Sequence, residues 1–168
     1  MVEFTIRKSV KEDCSAILDL IQELADYEKM SNGPKLKLET FVEDGFGKEA
    51  FYKCLVAEVN DENSDDKKIV GYSLYYFTYS TWEGKSIYME DLYVTPKFRH
   101  NGIGESLWKA VVKAGLEKGC CRTDFTVLAW NTPSIEFYLK KGAYDLTTKE
   151  EWHLFRMNKD EMNKFCNE

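Results

Sequence analysis

Tyr88-Met89-Glu90-Asp91-Leu92-Tyr93-Val94 runs into Thr95-Pro96-Lys97-Phe98-Arg99-His100-Asn101-Gly102-Ile103-Gly104, and the reading of this stretch decides the fold. Its first seven residues are rich in the aromatic and aliphatic types that favour an extended chain, so Ser86 to Val94 is expected as a strand. Ile103 to Lys118 is expected as a helix. A glycine-bearing turn between a strand and a helix N-terminus is suited to capturing an anion. Glycines let the backbone approach a diphosphate, the first N–H groups of the helix lack intrahelical partners, and the helix dipole adds about half a positive charge there. Arg99 offers a further counter-charge. Taken alone, these residues leave a phosphate-binding turn and a plain glycine-rich turn both open.

Upstream, Phe4 to Arg7 alternates as a short strand, and Ser9-x-x-Glu12 reads as a capping box opening a helix. The helical spacing of Cys14, Ile17, Leu18, Ile21, Leu24 and Ala25 carries that helix to about Tyr27–Met30, before Asn32-Gly33-Pro34. A short helix is expected over Leu38 to Glu43, stopped by the glycines of Asp44-Gly45-Phe46-Gly47. Cys54 to Val59 and Ile69 to Tyr79 read as strands of a hairpin, joined by a polar loop from Asn60 to Lys68. Downstream, the pattern predicts a strand over Thr123 to Leu128, a helix over Ser134 to Lys140 led by Pro133 and ended by Gly142, a last strand over Trp152 to Met157 and a terminal helix. Early hairpins followed by β-α-β define one α/β domain, residues 1–168, around a mixed, mostly antiparallel twisted sheet flanked by helices.

Composition narrows the function. The 168 residues include 23 Lys and Arg against 29 Asp and Glu, a formal charge of −6 without a basic stripe. Nucleic acid is therefore a poor partner, and a small cation is drawn in. Apolar runs fall short of the roughly 18 residues a membrane helix needs, so no membrane partner is expected. Five cysteines without a C-x-x-C pair, no basic and apolar leader after Met1, and no Asn-x-Ser/Thr sequon suit reduced thiols in the cytoplasm. The two histidines, His100 and His153, lack the partners that a metal site or a Ser-His triad requires, so no metal is expected. Walker, nucleophile-elbow and zincin motifs are missing, and Gly102-Ile103-Gly104-Glu105-Ser106-Leu107 lacks the third small residue of a dinucleotide fingerprint.

Arg99-x-x-Gly102-x-Gly104 between a strand and a helix resembles the acetyl-CoA pyrophosphate loop of the GNAT superfamily of N-acetyltransferases. Asp44-Gly45-Phe46-Gly47, Phe51 to Glu58, Tyr75-Tyr76-Phe77-Thr78-Tyr79, Glu90-Asp91 and Trp130-Asn131-x-Pro133-Ser134-x-x-Phe137-Tyr138 narrow the resemblance. Together they are similar to the diamine (spermidine/spermine) N-acetyltransferase family, which includes a thialysine N-epsilon-acetyltransferase branch. The resemblance implies acetyl-CoA as co-substrate and a homodimer whose substrate channels are completed near the other subunit. Leu92, Tyr93 and Val94 would hold the pantetheine arm, mainly through the backbone of Leu92 and Val94. Arg99, His100, Asn101, Gly102, Ile103, Gly104 and Glu105 would hold the diphosphate, and Asn131, Thr132, Pro133 and Ser134 the far end of the cofactor. Tyr138 would be the general acid. Glu28, Glu90 and Asp91 would receive the amine, with Tyr27, Trp82, Asp124, Phe125 and Thr126 lining its channel.

Two departures stand out: His100, where members often carry Gly, and Ser80-Thr81, where the polyamine branch tends to place an acid. The second favours a thialysine- or lysine-like amine over spermidine, spermine or putrescine, its distal end meeting the Ser80 and Thr81 hydroxyls. Glu90 is expected as the base that deprotonates the amine. Adjacent carboxylates in a regular strand point to opposite faces, so Glu90 and Asp91 are expected to diverge. A protein amine acetyltransferase and a non-catalytic acyl-CoA sensor are the remaining alternatives. Read without the family, Tyr138 is an ordinary helix-face aromatic, and Trp82 is equally plain core or a cation-π wall.

Overall fold

Residues that alternate with a period of two form five strands: β1 (Thr5–Lys8), β2 (Lys53–Asn60), β3 (Lys67–Ser80), β4 (Gly84–Val94) and β5 (Thr123–Phe125). They hydrogen-bond in the order β1-β2-β3-β4-β5, antiparallel except for the parallel β4–β5 pair. The computed structural model describes residues 2–60 and 67–167. The polar loop expected between β2 and β3 therefore falls largely outside the described residues, and Lys67 and Lys68 belong to β3.

Helices α1 (Cys14–Tyr27) and α2 (Leu38–Phe46) cover one face of the sheet. Ile17 and Leu20 of α1 and Phe41 of α2 bury against Cys54 and Val56 of β2, Tyr72 and Leu74 of β3, and Tyr93 of β4. Helix α3 (Ile103–Glu117) packs on β2, β3 and β4 with Ile103, Leu107 and Val111 buried. The ordered removal of these side chains from water is the main favourable term in the fold. Helix α2 runs three residues beyond its expected end. Gly45 lies within it because a side chain there would collide with the Tyr52 ring, and the helix stops at Gly47.

The entry to α1 differs from the expected capping box. A 3₁₀ turn, Lys11–Asp13, precedes the helix, and Asp13 instead of Glu12 reaches back to accept the Val10 N–H at 2.7 Å. Arg7 grips the same carboxylate with two guanidinium nitrogens, at 2.6 and 3.0 Å. Its Nε also donates to Glu58 at 2.7 Å, and Lys67 holds the other Glu58 oxygen at 2.6 Å. Asp13 wins over Glu12 because its short side chain can serve the cap and this ion-pair network together.

The chain divides into two compact units, Met1–Thr126 and Val127–Glu168. The second holds α4 (Thr132–Lys140), α5 (Leu146–Glu150) and α6 (Lys159–Cys166). Two sequence expectations are corrected here. Strand β5 ends at Phe125 instead of Leu128. Residues 151–158 have no regular structure, so Trp152 to Met157 is not a strand. A strand needs a neighbour to complete its ladder, and among the described residues the second unit supplies none. Leu154 and Phe155 are 80% and 89% exposed, so the alternation there has no apolar layer to meet.

Candidate active site

Strand β4 changes register where the acidic pair lies. Leu74 faces Asp91 across the β3–β4 ladder, whereas Tyr75 faces Met89, so Glu90 is the extra residue of a β-bulge. A bulge breaks strict alternation, and this one overturns the expected divergence of Glu90 and Asp91. Tyr72 and Tyr76 share one face of β3; Tyr72 donates to Asp91 Oδ2 at 2.9 Å and Tyr76 to Glu90 Oε2 at 2.9 Å. Both carboxylates therefore turn to the side of the sheet covered by α1.

Past the bulge, β4 loses its neighbour. β5 pairs with it only from Ile87 to Met89. The Thr95 N–H points the other way, to Val70 O at 2.9 Å on β3, so the alternate amides of Leu92 and Val94 face the opened edge. The Val94 carbonyl is taken there by Arg99 Nε at 2.8 Å, leaving the Leu92 groups and the Val94 N–H directed along the edge. Tyr93 alternates inward, its hydroxyl on Glu23 at 3.1 Å.

The loop ahead of α3 is built to keep side chains out. Gly102 caps the helix at φ +84°, and a Cβ on it would meet no protein atom within 4 Å. The Ile103 and Gly104 N–H groups, in the first turn, have no preceding carbonyl of the helix to bond. Asn101 staples the turn, its amide donating to Phe98 O at 3.3 Å and Arg99 O at 3.1 Å while its oxygen accepts the Val2 N–H at 3.3 Å. Glu105 pairs with Lys109 at 2.8 Å. His100 adopts φ +62°, the region glycine favours. The open space at Gly102, the helix N-terminus and the open β4 edge suit an elongated diphosphate ligand of the acetyl-CoA kind. Arg99 is placed differently from the simplest expectation: its guanidinium folds back over the Tyr27 and Tyr93 rings, at 5.1 and 5.4 Å.

Asp91 is half-buried, and burial pushes its carboxyl up to about 6, opposed by the Tyr72 hydrogen bond and assisted by the charges of Glu90 and Glu28. Burial likewise raises Glu28, at the C-terminal end of α1. Of the three expected amine-receiving acids, Asp91 thus lies within electrostatic reach of both Glu90 and Glu28. Thr126 accepts from the Tyr88 hydroxyl at 3.3 Å, and the Tyr88 ring stacks on Tyr76. Asp124, paired in register with Tyr88, is held by Arg122 at 2.9 Å. Phe125 packs its ring against Trp108 of α3, on the opposite face from the acids. Trp82 is 79% exposed in the β3–β4 turn, and six residue steps along β4, about 20 Å of strand, separate Gly84 from Glu90. Ser80 Oγ accepts the Trp82 and Glu83 N–H groups, both at 3.2 Å.

In the second unit, Asn131 occupies the N-cap of α4, and its carbonyl accepts the Ile135 N–H at 3.1 Å. Thr132 and Pro133 open the helix with Ser134 behind them; proline costs nothing there because its missing N–H would be unpaired. Tyr138 is buried, edge-on to Phe137 at 5.2 Å, and burial pushes its phenol well above the ordinary value. It is therefore protonated throughout the neutral range.

Sequence reasoning missed Tyr72, Tyr76, Tyr88 and Glu23, which hold the acids and the β4 edge. The spacing of Tyr72 and Tyr76 on one face of an otherwise apolar strand was the available signal.

This chain belongs to the acetyltransferase (GNAT) family, whose model matches residues 17–143. Members use acetyl-CoA as co-substrate, and the chain is an acetyltransferase of that class. It is 45% identical over 163 residues to a thialysine N-epsilon-acetyltransferase of Bos taurus, with 96% of each chain covered. It is also 42% identical over 160 residues to the human spermidine/spermine N(1)-acetyltransferase-like protein 1, covering 95% of this chain and 23% of that protein. The fold is shared with a V. cholerae integron cassette protein, at a TM-score of 0.78 and 21% identity over all of both chains.

Proposed function

We propose that residues 1–168 act as one catalytic domain, a cytoplasmic enzyme that acetylates the primary amine of a small aminoalkyl substrate, thialysine or a lysine-like amine ahead of polyamines. The observation that carries this reading is the β4 bulge, which turns Glu90 and Asp91 to one side of the sheet, with Asp91 within electrostatic reach of Glu28. Similarity to proteins named thialysine N-epsilon-acetyltransferase supports the choice of amine, as does Ser80-Thr81 in place of an acid.

Acetyl-CoA supplies an acyl group on a thioester. On the family resemblance, the opened edge of β4 at Leu92 and Val94 would hold the pantetheine arm, the turn from His100 to Glu105 the diphosphate, and Asn131 to Ser134 the far end of the cofactor. An alkylammonium of pKa near 10.4 is about 3.4 units from neutral at pH 7, so freeing its lone pair costs roughly 4–5 kcal/mol. Glu90, the exposed carboxylate of the pair, takes this proton through a water, while Asp91 and Glu28 hold the cationic substrate. The Leu92 N–H offsets negative charge gathering on the acyl oxygen. On the family resemblance, Tyr138 would protonate the departing sulfur as the N–C bond forms and C–S breaks; the surplus proton on the amide nitrogen restores the phenol, and the proton taken by Glu90 reaches solvent. No residue of the chain is acylated.

An amine panel assayed for CoA release tests the assignment. Thialysine is expected to exceed spermidine in kcat/KM. A tenfold advantage for spermidine overturns the substrate choice, and turnover of neither moves the reading to a protein amine.

A further inference from the structure

Tyr72 is wholly buried, in a layer with Ile17, Phe41, Val56 and Leu74 where phenylalanine would fill the same space. Its hydroxyl donates to Asp91 Oδ2 at 2.9 Å. A buried phenol is costly without such a partner, and a hydrogen bond to an ionised acceptor is stronger than one between neutral groups. β3 holds Asp91 at a second point, Ser73 Oγ donating to the Asp91 carbonyl at 2.8 Å. The strand thus fixes both the backbone and the carboxylate of the residue after the bulge.

The groups that face Asp91 come from four elements. Glu90 adjoins it on β4, Glu28 acts on it from the end of α1, Tyr72 lies on β3, and the buried Cys54 thiol on β2 feels its charge. Two are carboxylates, one a phenol and one a thiol, and none is a cation. Burial and both neighbouring carboxylates favour the neutral acid; the Tyr72 hydroxyl favours the anion.

Resting on the small-amine reading above, we propose that Tyr72 is a positioning residue for the amine: its buried hydroxyl keeps Asp91 anionic at neutral pH, so that the substrate's ammonium meets a second counter-charge beside Glu90. Tyr72 touches neither reactant. It acts through Asp91, and its influence grows as pH falls toward the range in which Asp91 takes up a proton.

The test is Tyr72→Phe, which removes one oxygen and keeps the ring's volume. Loss of a hydrogen bond to a charged group moves the partner's titration by about one unit, here upward because the anion loses its donor. Carboxyl carbon NMR on the ligand-free protein, with Asp91→Asn supplying the assignment, should show the Asp91 midpoint rising by about one unit. The acid limb of kcat/KM for the amine should rise in parallel, with amine KM about 3- to 10-fold higher at pH 6.5 and within twofold of wild type at pH 8.5. Acetyl-CoA affinity by calorimetry should stay within twofold, and Tyr72→Phe should add nothing in the Asp91→Asn background. An unmoved midpoint overturns the proposal, as does a KM increase of equal size at every pH, the mark of a merely structural role. A midpoint that moves in a protein whose wild type acetylates no small amine overturns the small-amine reading, and with it the role in amine binding, while leaving the Tyr72–Asp91 coupling in place.

Discussion

At Gly102 the backbone and its proposed ligand make the same demand. A φ of +84° penalises any branched side chain, and the empty space where its Cβ would point is where the proposed diphosphate would approach the backbone. Gly102→Val is expected to abolish acetyl-CoA binding in a calorimetric titration; normal affinity would place the cofactor elsewhere. Tyr138 tests the chemistry instead of the binding. Its buried phenol stays protonated at working pH, as a donor to a departing thiolate must. Tyr138→Phe should leave acetyl-CoA affinity near wild type and lower kcat by roughly 10²-fold or more, the usual worth of a positioned acid. Equal turnover by the variant removes Tyr138 from the mechanism.

Among the elements, the junction of β1, the 3₁₀ turn and β2 carries the clearest pH signature. Burial works against the Asp13 anion, but Arg7 and the Val10 N–H hold its carboxyl below the ordinary value. Lys67 and then Arg7 do the same for Glu58. A carboxylate depressed in the folded state contributes stability that is complete above its unfolded pKa, about 4, and is lost as pH falls through the lower folded value. The stability that this junction contributes should therefore hold from neutrality to about pH 5 and decline below about pH 4. Glu58→Gln should cost about 1–2 kcal/mol at pH 7, since its cationic partners are partly exposed, and much less at pH 3. Urea denaturation at the two pH values measures both; an equal loss at each would show that packing, not charge, is at stake. The β4 bulge teaches a different lesson at this scale. Nothing in Met89-Glu90-Asp91-Leu92 announces an extra residue, because a bulge is defined only against the partner strand, here by Leu74 and Tyr75.

For the whole molecule, Tyr79 and Trp82 are 74% and 79% exposed at the end of the β3–β4 hairpin, and the strand length places Trp82 far from its own Glu90. We take this as support for a homodimer in which the hairpin end completes the partner's channel, and light scattering at micromolar concentration is expected to give twice the chain mass. A monomeric mass would remove the idea. The sequence by itself determined the α/β class, the five-strand core apart from its ends, and the position of the Gly102 turn, because hydrophobic period and glycine placement are local properties that the chain expresses wherever it folds. The family resemblance also marked Glu28, Glu90 and Asp91. Only the tertiary structure decided that Glu90 and Asp91 turn to one side, that Arg99 folds onto Tyr27 and Tyr93, that Asp13 displaces Glu12 at the cap, and that Trp152 to Met157 forms no strand. Each of these depends on a partner distant in sequence: a facing strand, a ring, a guanidinium, or a ladder neighbour that is missing. Local pattern can propose such pairings, but the free energy that selects among them resides in the contacts themselves.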